Sequence, residues 1–373
     1  MSSVQFVEHP IENGKRILEI KLNSERTLNA LSLEMIEQIT PKLDQAREDD
    51  NVAAILLDST GDKAFCAGGD VVTLYNGLKD DEADDFIEKW FVAEYAMDYA
   101  IHKFPKPIIC WASGIVMGGG MGMMNGCSHR IVTETTRMAM PEVTIALYPD
   151  VGASWFFNRM PQGVGRFLAL TASQMNAADA LFLGLADRFI STDKREKVLQ
   201  NLQSADWQGD AHSVVTGVLK ALEADSQKSL VNGSKIKELY PQIMQVTDYE
   251  SPVEIVHALN GLQLDDSWWQ RAQNNVKHGS PLAVHLIFQQ LERSRYCSLH
   301  EVFLAELVLT ANCCRQPELS EGIRALLVDK DRSPQWMYSC VEDVDSEYVE
   351  SFFQAPWDSN PLAAYLSRVD EVR

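Results

Sequence analysis

At 373 residues, with 46% hydrophobic and 23% charged residues, the chain can bury a large core and reads as a soluble globular protein of two or more cooperating parts. Its formal charge of −20 argues against a general basic surface for nucleic acid or an anionic membrane, so an anionic ligand would need a local positive patch or backbone donors. The longest apolar stretches, such as Pro107 to Gly126, are broken by glycines and polar groups, short of the roughly 18–20 residues a membrane helix needs.

Arg16 to Leu22 reads as an early strand, and after the turn NSERTLNAL, Leu33 to Glu48 reads as an amphipathic helix. Val52 to Asp58 (VAAILLD) is a short apolar strand that runs into the loop STGDKAFCAGGD. The acid run KDDEADD, Lys79 to Asp85, reads as a solvated loop. Residues 84–102 read as a helix whose acids Glu88, Glu94 and Asp98 suit a solvated face. Pro107 to Ala112 (PIICWA) is a buried strand, and SGIVMGGGMGMMNGC turns into a helix before the strand HRIVTET. Strands alternating with helices predict an α/β core. After Leu185 the pattern changes to polar, helix-rich sequence over 192–280, and amphipathic helical segments follow over 281–327 and 345–369. Trp268, Trp269 and the apolar line Ala283, Ile287, Leu291 are expected to dock this part. The division is a core over 1–200 and a mostly helical region over 201–373 packing on it, with a soft boundary near 200–240.

Two glycine-rich loops, AFCAGGDV (Ala64 to Val71) and IVMGGGMG (Ile115 to Gly122), each follow an apolar strand and precede a helix. Free N–H groups point outward at such turns and the helix dipole favours negative charge, so two side by side could form an oxyanion hole; the same glycines would also allow close helix–strand packing. Counting G-x-G-x-x-G from Gly118 lands on Met123, and from Gly120 on Asn125, so there is no dinucleotide fingerprint, and no G-x-x-x-x-G-K-[ST] occurs. Asp70 suits a helix N-cap. In MAMPEVTIALYPDVGASW, Glu142 and Asp150 each follow a proline within an otherwise apolar run. At least one should face a dry cavity, where its pKa rises, as a buried structural anion or as a catalyst.

The histidines form no H-E-x-x-H, and the seven cysteines lack zinc spacing and any C-x-x-C pair; no metal and reduced, mostly buried thiols are expected. His129 reads as a packed histidine, and Ser154 is outside any G-x-S-x-G elbow. The N-terminal MSSVQFVEHPIENGK has no basic segment followed by an apolar one, so a cytoplasmic protein is expected.

Taken in order and spacing, AFCAGGD, MGGGMG and AMPEVTIALYPDVGASW resemble the crotonase (enoyl-CoA hydratase/isomerase) superfamily, and within it the hydrolases of β-hydroxyacyl-CoA. The resemblance runs from about residue 5 to 190 and resumes at SEGIRALLVDKDRSPQW, Ser320 to Trp336. It implies a crotonase-like spiral of ββα turns that binds an acyl-CoA thioester, with no separate cofactor because CoA is part of the substrate. Carried over by position, Gly69 and Gly119 would hold the thioester oxygen, and Ala67, Asp70 and Val71 would line the pantetheine path. Arg26 to Leu28 would lie near the CoA nucleotide, Glu94 would contact substrate, and Glu142 and Asp150 would be the catalytic carboxylates. Hydratases of the superfamily place a second glutamate where this chain has Gly122, and a glycine where it has Asp150. That departure points to hydrolysis of a short branched β-hydroxyacyl-CoA, such as 3-hydroxyisobutyryl-CoA in valine breakdown. An isomerase or hydratase on the same scaffold and a non-catalytic acyl-CoA-binding protein are the alternatives. A homo-oligomer is compatible with the superfamily, although the long C-terminal part could occupy that contact.

Overall fold

The computed structural model describes residues 2–11, 14–79, 82–230 and 232–371. A hairpin of β1 (Val4–Pro10) and β2 (Arg16–Leu22) starts a six-stranded sheet that continues in parallel through β3 (Val52–Ser59), β5 (Ile108–Ala112), β7 (His129–Val132) and β9 (Arg188–Phe189). Three short strands, β4 (Ala64–Cys66), β6 (Ile115–Met117) and β8 (Arg137–Ala139), form a second, parallel sheet. The chain lays one strand in the large sheet and one in the small sheet, then enters a helix, and repeats. The helices that matter for the site are α1 (Leu33–Glu48), α2 (Val71–Gly77), α3 (Ala83–His102) and α4 (Gly119–Gly126). This is the ββα spiral that the resemblance implies.

All eight residues of β3 are buried, because both faces of the large sheet are covered. One face joins the main core with α1 and α3. Against the other, Ile17, Leu56, Ile109 and Ile131 pack on Val198, Leu202, Val215 and Leu219 from the helices Arg195–Gln203 and Ala211–Ala224. The Arg195 guanidinium ties this layer to the buried Asp58 carboxylate at 2.6 Å. Further along, Trp269 stacks on Phe167 at 5.4 Å, and Ala283, Ile287 and Leu291 are buried, so both expected docking surfaces are formed. The seven cysteines are free thiols, five of them buried.

Four local expectations change. Ile115–Met117 is a strand of the small sheet before the helix begins, and HRIVTET is strand only through Val132. In KDDEADD, Asp80 and Asp81 lie outside the described residues, while Ala83 already starts α3 and Asp84 pairs with Arg315 at 2.7 Å. The acids of α3 do not share a solvated face: Glu94 and Asp98 are 4% and 0% exposed, since that side of the helix packs into the core.

Candidate active site

The register of the small sheet builds one wall of the site. Cys66 pairs with Val116, and Met117 with Ala139, so β4, β6 and β8 end side by side and release the loops at Ala67, Gly118 and Met140 together. Two of these turns require conformations that suit glycine: Gly68 has φ +109° and Gly118 φ +48°. A neighbouring strap fixes the first loop. Ala67 N–H donates to Leu28 O (3.1 Å), Leu31 N–H to Gly68 O (2.8 Å) and Asp70 N–H to Leu31 O (2.8 Å). This bonding skips the Gly69 N–H. Neither it nor the Gly119 N–H, at the start of α4, has a hydrogen-bond acceptor among the described residues. The two are close: a Cβ on Gly119 would stand 3.7 Å from the Gly69 nitrogen. Two unbonded donors at a helix N-terminus suit an oxyanion.

Gly69 and Gly119 line a cavity of about 200 Å³ together with Ala67, Val71, Trp90, Glu94, Glu142 and Asp150, and Leu326 and Leu327 reach it from the C-terminal region. A larger cleft of about 800 Å³ elsewhere offers Arg166, but that guanidinium is spent on Glu292 and on the carbonyls of Thr247 and Tyr249.

Glu142–Ile145 is a single 3-10 turn closed by a left-handed Ala146, after which the chain extends to Asp150. The next two residues, Val151 (φ +53°) and Gly152 (φ +83°), are also left-handed. For a β-branched residue such a conformation costs roughly 1–3 kcal/mol and persists only where the surroundings enforce it. Here Glu306, from the helix Leu299–Cys314, enforces it by accepting Gly152 N–H at 2.7 Å and Ser154 N–H at 3.1 Å.

Burial raises the proton affinity of every carboxyl here. Glu142 is pushed well above its ordinary range by burial and then by the Asp150 charge, and its Oε2 has no hydrogen-bond partner. Burial takes Asp150 up to about 6, moderated by the Tyr95 hydroxyl, which donates to Oδ2 at 2.7 Å. Glu94 rises to about 8 through burial and the Asp150 charge, against a donation from Trp90 Nε1 at 3.2 Å. Two further carboxyls flank the pair: Glu306, raised by burial to about 8, and Asp98, raised by burial with neither oxygen bonded.

Among the sequence-derived candidates, Gly69, Gly119, Glu142, Asp150, Glu94, Ala67 and Val71 meet at this cavity. Asp70, Arg26 and Leu28 do not line it. Asp70 caps α2, accepting from Thr73 N–H at 3.2 Å and Thr73 Oγ1 at 2.7 Å. Arg26 is exposed in the 3-10 turn Glu25–Thr27, and Leu28 acts through its carbonyl on the Ala67 loop. Sequence reasoning missed Tyr95, Glu306 and Thr310; the last two are polar residues one helical turn apart on the otherwise apolar stretch VFLAELVLTA, Val302 to Ala311, which was a usable signal. Among the described residues no group of three or more His, Cys, Asp or Glu is placed to hold a metal ion, and no helix is long and apolar enough to cross a membrane.

The sequence model of the Enoyl-CoA hydratase/isomerase family matches residues 17–353. The mitochondrial 3-hydroxyisobutyryl-CoA hydrolase of Gallus gallus is 34% identical over 92% of this chain and 87% of its own, and that of Danio rerio 32% over 95% and 91%. Their mitochondrial designation lends no support to the cytoplasmic expectation for this chain. Among solved structures, an enoyl-CoA hydratase from Rhodobacter sphaeroides superimposes with a TM-score of 0.82 at 30% identity, covering 95% of this chain and 98% of the other. A carnitinyl-CoA dehydratase from Mycobacterium thermoresistibile gives 0.84 at 29%, covering 96% and 98%.

Proposed function

Because the chain belongs to the enoyl-CoA hydratase/isomerase family, we propose that it is an acyl-CoA thioester hydrolase that cleaves a short branched β-hydroxyacyl-CoA, 3-hydroxyisobutyryl-CoA, to the hydroxy acid and free CoA, a step of valine breakdown. The observation that carries this reading is one small cavity shared by two unbonded N–H donors, Gly69 and Gly119, and two buried carboxyls, Glu142 and Asp150. A thioester carbonyl is already electrophilic. The site must therefore stabilise the tetrahedral oxyanion and supply a nucleophile, and one oxyanion donor is typically worth about 3–4 kcal/mol.

Two adjacent buried carboxyls cannot both ionise cheaply, so the pair shares one proton; burial and the Asp150 charge favour it on Glu142 at rest, and the reaction starts once that proton has passed to Asp150. With the charge on Glu142, its carboxylate attacks the carbonyl carbon, the C–S bond breaks, and the CoA sulfur takes the proton from Asp150. Water then opens the resulting acyl anhydride and its proton returns to Asp150, restoring both groups. Alternatively, Glu142 deprotonates the attacking water while Asp150 protonates the sulfur. Both routes run from the state in which Glu142 has given its proton up to Asp150.

A hydratase reading is weaker because the second glutamate of that chemistry has no room. A Cβ at Gly122 would lie 2.6 Å from Val151 Cβ. The test is thiol release from 3-hydroxyisobutyryl-CoA by wild type, Glu142→Gln and Asp150→Asn. The expected outcome is release that falls ~10²–10⁴-fold in each variant. No release by wild type, release unaffected by either change, or hydration of crotonyl-CoA in its place would overturn the reading. Turnover in oxygen-labelled water then separates the routes, since only the anhydride can deliver label into Glu142.

A further inference from the structure

Behind Asp150 runs a chain of hydroxyls that ends on a backbone carbonyl. Tyr95 OH lies 2.7 Å from Asp150 Oδ2 and 2.7 Å from Thr310 Oγ1. Thr310 Oγ1 lies 2.8 Å from Tyr148 OH, which reaches Glu306 O at 2.7 Å. Tyr95, Thr310 and Tyr148 are fully buried, and each contact of the chain is a direct one between protein oxygens.

Counting protons gives this chain its meaning. Three hydroxyls bring three protons to four contacts, and the Glu306 carbonyl at the far end can only accept. When Asp150 is ionised the near end also only accepts, so Tyr95 donates to Asp150, Tyr148 donates to Glu306 O, and Thr310 can serve only one of its two tyrosines. One oxygen–oxygen contact of 2.7–2.8 Å is then left without a proton. When Asp150 is protonated at Oδ2, all four contacts fill in one direction: Asp150 to Tyr95, Tyr95 to Thr310, Thr310 to Tyr148, Tyr148 to Glu306 O. No hydroxyl proton leaves its oxygen in this change: Tyr95 turns from Asp150 to Thr310, Thr310 points to Tyr148, and Tyr148 keeps Glu306 O.

We propose that Tyr95, Thr310 and Tyr148 form a reorienting hydroxyl relay, with Thr310 as its pivot, that lets Asp150 take up the shared proton and so passes the negative charge to Glu142 for the reaction. Thr310 and Tyr148 are positioning residues, since neither lines the cavity. The inference rests on the hydrolase reading for its catalytic meaning. The other titratable groups facing Asp150 are Glu94 and Asp98 on α3, Glu142 on the 3-10 turn, and Glu306, Cys313 and Cys314 on the helix Leu299–Cys314. All are acids, so none offers Asp150 a cation that would offset the relay.

The test replaces the pivot with an isostere that has no hydroxyl. In Thr310→Val the Tyr95 proton keeps only Asp150 as acceptor, which favours ionised Asp150. Carboxyl infrared difference spectra, with Asp150→Asn to assign the band, should then show the Asp150 titration moved to lower pH by about half a unit or more. Because this readout needs no turnover, it separates failure of the relay from failure of the hydrolase reading. With 3-hydroxyisobutyryl-CoA, kcat should fall ~10-fold or more at unchanged KM, and Thr310→Ser should restore both properties. Tyr148→Phe, which removes the far acceptor, should move the titration in the same direction and keeps the test available if the valine variant folds poorly. An Asp150 titration unmoved in Thr310→Val and in Tyr148→Phe, or a serine variant as displaced as the valine one, would overturn the proposal.

Discussion

The two walls of the site are built on opposite plans. The oxyanion wall is backbone: three strand ends in register, two left-handed glycines, and a strap from Leu28 to Leu31 that bonds every neighbour of the Gly69 N–H but not that group itself. The carboxylate wall is side chain. Asp150 is held by Tyr95 from α3, and the strained turn after it by Glu306, 154 residues beyond Gly152 in sequence. A backbone wall supplies fixed dipoles that do not titrate. A side-chain wall supplies groups whose charge can move, which acid–base chemistry needs, and each must be paired or protonated to be buried.

The largest effect should come from breaking the backbone wall. An alanine at Gly119 would place its Cβ 2.7 Å from Glu94 Oε1 and beside Gly69, whereas one at Gly69 meets nothing within 4 Å. Gly119→Ala should therefore lower kcat/KM by ~100-fold or more, as expected for a displaced oxyanion donor. Gly69→Ala keeps its N–H and should lose much less. Equal losses in steady-state thiol release would mean that this wall is more compliant than its bonding implies.

On the side-chain wall, Glu306→Gln keeps one oxygen acceptor and so leaves either Gly152 N–H or Ser154 N–H unpaired, a cost of about 1–3 kcal/mol for a buried group. It also carries a pH signature. Glu306 and Glu94 are raised to about 8 and Asp150 to about 6, from ordinary values of 4.5 and 3.8. Groups that bind protons more tightly when folded give stability that is complete below their unfolded values and lost as pH rises through the folded ones. These carboxyls should therefore make the folded protein less stable with each step from about pH 4.5 to 8. Denaturant titrations at several pH values should show the decline, and a shallower decline in Glu306→Gln. An unchanged slope in the variant would remove Glu306 from the set. Carboxyls with lowered proton affinity, such as Asp370, lose their contribution only below this window, as pH falls toward about 2.

The difference between the walls also decides what the sequence could reveal. AFCAGGDV and MGGGMG are legible because the need for glycine is local, as is the strand-to-helix turn around it. Glu142 and Asp150 stand out for a similar reason, as charges in an apolar run. The small sheet is hidden because its strands are three residues each, too short to show a period, and β6 lies within a glycine-rich stretch. Glu94 on α3 reads as solvated because acids cluster there, and only tertiary packing turns it inward. Thr310 meets Tyr95 across 215 residues, a contact that no local pattern encodes.

Where the two walls touch, Gly122 of α4 faces Val151. An alanine there would put Cβ 2.6 Å from Val151 Cβ and 3.0 Å from Asp98 Oδ2, and Val151 is pinned in its strained conformation. Gly122→Ala should cost about 1–3 kcal/mol of stability by overpacking. A denaturation midpoint equal to wild type would show that the carboxylate wall can retreat, and would reopen the space that a hydratase glutamate needs.

The smallest effect should fall on Asp70, and it decides between two roles. Its carboxylate caps α2 through Thr73, and the same loop carries Gly69, so the residue belongs to the scaffold of the oxyanion wall. Asp70→Ala should cost about 1 kcal/mol of stability, as for other N-cap deletions. KM for 3-hydroxyisobutyryl-CoA should stay near wild type, and Asp70→Ser should recover most of the lost stability because a hydroxyl can accept the same N–H. If Asp70 lay on the pantetheine path instead, alanine would raise KM, serine would not restore it, and stability would change little. A KM effect without a stability effect would therefore give the backbone wall a substrate-binding side chain after all.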